Sequence, residues 1–297
     1  MKTLEKNEDI ILEDTLKKRY KNINITPIFT TFVFELKKQW KKFIFFAGFS
    51  ILCVLIGGPI PYYIVPDLAI QSERLFFQYN IRAYIAVIDL MACLFFGGII
   101  CEEFSNKTGN IVFPIINKYK VITGKYLASL IMILGVVGIY YLALGLTRVY
   151  FFNRLIHIKY FYSFGFALLY TIAVSSFVTM FSSFMKGVNL TIVLTILLLL
   201  VAFLLIDSLF ILGLPEYEPV YSLDHMSKLI HYILEHDFPK TIEDRYADGG
   251  GYQQGPISHL LSRSWKTPSI EGGIIIALSY IIICNTIAFL IFSRRQL

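Results

Sequence analysis

Residues 161–212 read FYSFGFALLYTIAVSSFVTMFSSF, then Met185-Lys186-Gly187, then VNLTIVLTILLLLVAFLLIDSLFIL. The two long runs carry one formal charge between them, Asp207. About 20 apolar residues suffice to carry a helix across the hydrocarbon core of a bilayer. The stretch therefore predicts two transmembrane helices, Phe161–Phe184 and Val188–Leu212, joined by a three-residue turn. Four more runs of the same kind lie on either side: Phe43–Val65, Ile81–Cys101, Leu127–Thr147 and Gly272–Phe292.

Composition agrees. Hydrophobic residues make up 56% of the 297 and charged residues 16%, against roughly 45–50% and 25% in soluble domains. Mean hydropathy is +0.63. A soluble globule could not hide so much apolar surface, and disorder is excluded by the same numbers. The net charge of +6 is spread between loops rather than gathered on one soluble face, so no nucleic-acid partner is expected. Cys53, Cys93, Cys101 and Cys284 fall in or beside apolar runs without C-x-x-C spacing, which argues against a disulfide framework or a zinc ribbon. The first 42 residues are hydrophilic, and no cleavable signal is expected.

Loop charge predicts the orientation. With both termini cytoplasmic, 17 of the 27 basic residues face the cytoplasm, ten of them before the first span. Arg148, Arg154 and Lys159, between spans 3 and 4, run against this count and are outweighed by the rest. The expected location is the plasma membrane.

Two segments outside the spans are amphipathic. Phe29, Phe32, Val33, Leu36, Trp40 and Phe43 fall within an arc of about 100° on a helical wheel, with Glu35 and four lysines opposite. This predicts an interfacial helix over about 28–42, lying on the cytoplasmic face with Trp40 at headgroup level and lysines towards anionic lipid. The second is in the external segment 215–270, where Leu223, Met226, Leu229, Ile230, Ile233 and Leu234 predict a helix that Pro239 would stop. The predicted fold is thus an all-α polytopic membrane protein with six spans, an N-terminal interfacial helix and a long external loop between spans 5 and 6.

Candidate chemistry is sparse. His231 and Glu235 share a helix face, with His225 and His236 nearby, and could supply metal ligands. Histidines on the wet side of an amphipathic helix are common without a metal, and no tight multi-ligand motif is present, so none is expected. Charges inside spans are costly and face a bundle or a polar path. Asp89 in span 2, Arg82 seven residues earlier on the same face, and Asp207 in span 5 are candidates for a translocation path or for structural pairing between helices. No G-x-x-x-x-G-K-[ST] occurs, so any ATP hydrolysis belongs to another chain. The pair Glu102-Glu103 is similar to that of CAAX-type intramembrane proteases. All five histidines lie in predicted external loops, however, and that reading fails.

The cytoplasmic segment after span 2 contains, in order, Glu102 and Glu103, Lys107, Thr108-Gly109, Ile111–Phe113, Pro114, Lys118–Lys120 and Gly124-Lys125. This order resembles the signature loop of ABC-2-type transporter permeases: an acidic pair ending span 2, a Gly/Thr pair, an apolar turn, a proline, a basic turn and a Gly-Lys opening span 3. The order Thr-Gly and the dipeptide Asn117-Lys118 depart from the usual pattern. The resemblance covers the whole chain, including the short turn between spans 4 and 5 and the long segment before span 6. It implies a permease that pairs with a second permease, identical or related. The ATP-binding subunit would carry ATP and magnesium, with no cofactor on this chain, and would engage the loop 102–124 and the helix 28–42.

On that reading, Phe113 would anchor the partner and Pro114 would set the return angle. Gly124 would allow a sharp entry into span 3, and Lys125 would snorkel to the interface. Export is the implied direction. A membrane anchor or scaffold, or an ATP-independent secondary transporter, would use the same spans. The last would need more intramembrane ionisable residues and some internal symmetry.

Overall fold

The structure, a computed structural model, describes residues 26–57, 73–106, 109, 116–153, 156–213, 218–235, 238, 245–248, 263–265 and 267–295. Six helical segments among them are long and apolar enough to cross a membrane. The chain is an all-α polytopic membrane protein. Its elements are α1 (Thr26–Gly57), α2 (Glu73–Phe96), α3 (Cys101–Ser105), α4 (Lys118–Phe152), α5 (Ile158–Phe184), α6 (Val188–Leu197) and α7 (Phe203–Gly213). They continue with α8 (Leu223–Tyr232), the paired strands β1 (Tyr246–Asp248) and β2 (Arg263–Trp265), and α9 (Ile270–Arg294). Span 5 is α6 and α7, joined without a break through a π-helical turn at Leu198–Ala202.

The stretch 161–212 folds as expected, α5 ending at Phe184 and α6 beginning at Val188. Span 6 matches to within two residues at each end. Spans 2 and 3 are longer than their apolar runs, because a helix stops at a cap or a breaker rather than where hydrophobicity ends. Asn117 caps α4 by accepting the Tyr119 N–H, ten residues before the apolar run starts.

The separate interfacial helix is not found. Residues 28–42 are the first part of α1, which runs unbroken from Thr26 to Gly57. No glycine or proline interrupts 28–47, so nothing stops the backbone ladder. The segment is continuous with the apolar part of span 1. It packs parallel to α4, with Ile28 and Thr31 against Gly124, Gln39 against Ser129, and Phe43 against Gly135. The buried stripe is also not the expected one. Glu35, Gln39, Phe46, Ser50 and Val54 turn inward, while Phe29 and Trp40 stay exposed. At about 1.5 Å per residue, α1 and α4 extend well past a hydrocarbon core of about 30 Å.

Spans 2 and 4 form the centre. Met91, Ala92, Cys93 and Phe96 of α2 and Ala173, Val174 and Val178 of α5 have no exposed surface. Spans 1 and 5 lie outermost, with 17% of their apolar windows buried against 72% for span 2. In α5 the hydroxyls of Thr171, Ser175 and Thr179 bond back to carbonyls four residues earlier. Their polarity is thereby met inside the helix, and their small size permits close packing. Asn285 of α9 donates to Ser176 at 2.9 Å, tying spans 6 and 4.

α8 caps the opposite end of the bundle from α3. Its buried face, Leu223, Met226, Leu229 and Ile230, sits on α2, α5 and α9. Polar anchors hold it there: Ser163 donates to the Ile230 carbonyl at 2.6 Å, and Tyr280 to the Tyr221 carbonyl at 2.8 Å. Lys159 donates to the carbonyls of Glu235 and Phe238.

Candidate functional site

Span 2 ends in a break. Gly97 approaches span 5 so closely that a Cβ there would meet the Cys93 carbonyl at 2.6 Å and Ile192 at 2.7 Å. The chain turns through Gly97–Ile100, and α3 begins at Cys101. Ser182 near the end of α5 accepts the N–H groups of Ile100 and Cys101 at 3.1 and 3.2 Å, meeting donors that a broken helix would leave unpaired. The break swings Glu102 and Glu103 towards α1 and α4.

There they enter a lattice of charges. Lys38 of α1 donates to both Glu102 oxygens at 2.8 Å and lies 3.7 Å from Glu35. Lys125 of α4 pairs with Glu103 and lies 3.8 Å from Glu102. Glu103 and Lys125 are both buried. Beside them Gln39 donates to Glu35 at 2.7 Å and to Ser129 at 2.9 Å. A cavity of about 410 Å³ opens next to the lattice, lined by Thr30, Phe34, Lys38, Glu102, Asn106 and Lys125 among others. Its position joins α1, α3 and the start of α4.

The C-terminal end of α9 closes the other side. Lys118 donates to the Ser293 carbonyl at 3.2 Å and lies over the Phe292 ring at 5.1 Å. Arg295 donates to the Ser183 carbonyl at 2.8 Å and stacks 4.1 Å above the Phe104 ring. The ends of spans 1, 2, 3, 4 and 6 are therefore cross-linked by polar contacts at this one end of the bundle.

Several expected roles are corrected. Residues 102–124 are not a loop throughout, since α3 and the first turns of α4 are helical. Gly124 is the seventh residue of α4, not an entry turn; a Cβ there would meet the Ile28 carbonyl at 2.8 Å and Thr31 at 2.9 Å. Close helix approach explains the glycine. Lys125 does not snorkel, because a buried carboxylate stands beside it. Lys118 packs on α9. Gly109 is buried. Lys107, Thr108, Phe113 and Pro114 lie outside the described residues.

Sequence reasoning gave Glu35 and Lys38 to the polar face of an interfacial helix and overlooked Gln39, Ser129, Ser182 and Arg295. One signal was available: Glu35 and Gln39 fall in register with Ile28, Phe32, Phe43, Phe46 and Ser50, a second stripe at helical spacing.

The intramembrane acids hydrogen-bond between elements. Asp89 is buried and accepts from Tyr170 of α5 at 2.7 Å, which matches the pairing alternative. Arg82 is exposed, away from that contact. Asp207 is buried and accepts from Ser222, the N-cap of α8, at 2.7 Å. Burial first, and then the Asp207 carboxylate, push the Tyr221 phenol up to about 12.

The cap histidines are not on the wet side. His225 and His231 are buried because α8 lays their side of the helix on the bundle. His225 meets Glu218 at 3.2 Å, and Glu218 also accepts the Ser269 N–H at 3.0 Å and pairs with Arg245. Burial alone would raise Glu218, but these hydrogen bonds and the Arg245 charge hold it at about 2. Burial, followed by the nearby Arg82 and Lys228 cations, lowers His231 to about 4. Glu235 takes a hydrogen bond from Gln78 rather than facing a metal partner. His236 lies outside the described residues. Among the described residues no group of three potential metal ligands gathers.

No family model matches this chain and no curated protein matches it, so what is established is its class, a six-span, all-α polytopic membrane protein.

Proposed function

We propose that this chain is the membrane permease of an ABC-2-type ATP-binding cassette transporter. In this reading it lies in the plasma membrane with its α3 end in the cytoplasm, paired with an identical or related permease. A separate ATPase subunit carries ATP and magnesium. The observation that supports this best is the lattice Lys38–Glu102–Lys125–Glu103. A push on α3 would be delivered at once to α1 and α4, the two longest described helices. The ordered elements of the loop resemblance and the basic bias of that end point the same way. Transport, with export as its direction, would then follow from tilting of the spans.

One observation favours a scaffold instead. Glu103 and Lys125 spend their charges on each other, and a structural protein needs no more than that.

The deciding experiment is to tag the full chain in its native host, extract it gently and look for a co-purifying P-loop ATPase. A vanadate-sensitive ATPase in the complex is the expected result. A stable chain that purifies alone and without ATPase activity moves the scaffold or secondary-transporter reading ahead.

A further inference from the structure

Four lysines, Lys37, Lys38, Lys41 and Lys42, crowd one stretch of α1, and the fold uses them in two ways. Lys38 and Lys42 turn inward, onto Glu102 and onto the Leu94 carbonyl. Lys37 and Lys41 are exposed, and being four residues apart they share a helix face. Neither has a hydrogen-bond or ion-pair partner among the described residues. Like charges at this spacing repel, so the pair is unfavourable until an anion lies between them.

The depth of the pair follows from its neighbours. Lys38 is bonded to Glu102, and the adjacent Ile100 and Cys101 N–H groups are bonded to Ser182, two residues before α5 ends. The lysines therefore lie at the level of the turn at Met185-Lys186-Gly187, where the chain leaves and re-enters the membrane. Trp40 flanks them with 53% of its surface exposed, and Ile44 and Phe45 continue the exposed face into the span.

We infer that this face of α1 holds an anionic phospholipid, its phosphate between Lys37 and Lys41 and its acyl chains along Ile44, Phe45 and Leu52. A soluble protein cannot cover the part of the face that lies within the span. A second copy related by a twofold axis would bring the same two lysines against each other. A lipid with a negative headgroup satisfies both the cations and the apolar surface below them. The inference does not depend on the transporter reading.

The chain has two tryptophans, Trp40 and Trp265, which supplies a local probe. In full-length Trp265→Phe protein, the remaining tryptophan sits beside the site. The protein is reconstituted into mixed vesicles of phosphatidylcholine and phosphatidylglycerol, with one lipid or the other brominated on its acyl chains at equal mole fraction. Brominated phosphatidylglycerol is expected to quench Trp40 more strongly, with a preference of roughly tenfold or more from two lysines. Lys37→Gln/Lys41→Gln should bring the preference towards parity, Lys37→Arg/Lys41→Arg should keep it, and salt should weaken it.

Equal quenching by the two lipids overturns the proposal, as does an undiminished preference in the glutamine variant. Poor quenching by both means that protein covers the face, and sinks it too. If the glutamine variant fails to fold, the salt series on the Trp265→Phe protein decides: a preference indifferent to ionic strength rejects the site.

Discussion

Two adjacent residues of α4, Gly124 and Lys125, show what a single side chain does here. Gly124 lies against the Ile28 carbonyl, and backbone cannot step aside as a flexible side chain would. Gly124→Ala should therefore destabilise the protein by about 1–3 kcal/mol, the usual range for overpacking. Gly138 faces open space, and Gly138→Ala should leave stability unchanged or better. Thermal unfolding in one detergent, read for both variants, checks the contrast; equal losses would refute the close-approach argument. Lys125 is the second case. Lys125→Met removes the cation paired with the buried Glu103 carboxylate and should cost about 3–5 kcal/mol, while Glu103→Leu/Lys125→Met should recover much of that. Lys38 is 40% exposed at its side chain, so Lys38→Met should cost no more than about 1 kcal/mol. The same unfolding assay ranks the three. Had Lys125 snorkelled to the surface, as the permease resemblance suggested, its loss would be as mild as that of Lys38.

At the scale of elements, α8 is one whose attachment depends on pH. His231 is held neutral down to about 4, whereas an unfolded histidine takes a proton near 6.5. Between those values the unfolded state binds more protons, so stability falls as pH falls, by on the order of 3 kcal/mol at the lower end. Glu218 behaves in the opposite sense: its stabilisation is present above about 4.5 and is lost only as pH drops towards 2. Of these two groups, only His231 titrates between 6.5 and 4.5. Thermal midpoints at pH 7 and pH 5 should separate for the native chain and converge for His231→Gln. A gap that survives the substitution would assign the acid sensitivity elsewhere. The amphipathic period of α8 was legible in the sequence, and so were the turn at Met185-Lys186-Gly187 and the limits of spans 4 and 6. What was not legible had a common cause. A wheel ranks faces by hydrophobicity, but α1 meets α4 through Glu35, Gln39 and Ser129, polar groups that hydrogen-bond to one another through Gln39 and so can face inward. The break at Gly97 was equally hidden, because the residue that makes it tolerable, Ser182, lies two spans away.

Across the whole molecule, burial is uneven in a way that bears on assembly. Spans 2, 3 and 4 bury half or more of their apolar windows, while spans 1 and 5 bury 17% each. Span 1 is still held by α4 along its length and by Lys38 at its end. Span 5 has fewer ties: Cys101 meets Thr191 at 3.6 Å, Phe177 meets Phe203, and Ser222 meets Asp207. Its outer face, with Val193, Leu197, Leu204 and Leu209, is aliphatic and uncharged. It also contains the π-helical turn at Leu198–Ala202, a distortion more frequent at functional sites than elsewhere. If two copies of the chain pair, span 5 is the span whose packing the second copy completes. All four cysteines are free, so a cysteine-free background can be built and single cysteines added. Leu204→Cys should then give a disulfide-linked pair on mild oxidation in native membranes, whereas Ile282→Cys, at least as exposed on span 6, should not. Span 6 is the right comparison because Lys118 and Arg295 already fix its end within one protomer. Linkage at Ile282 and not at Leu204 would move the pairing surface to span 6. Linkage at neither, together with a monomeric mass in gentle detergent, would remove the second copy from the proposal and leave these aliphatic faces to lipid.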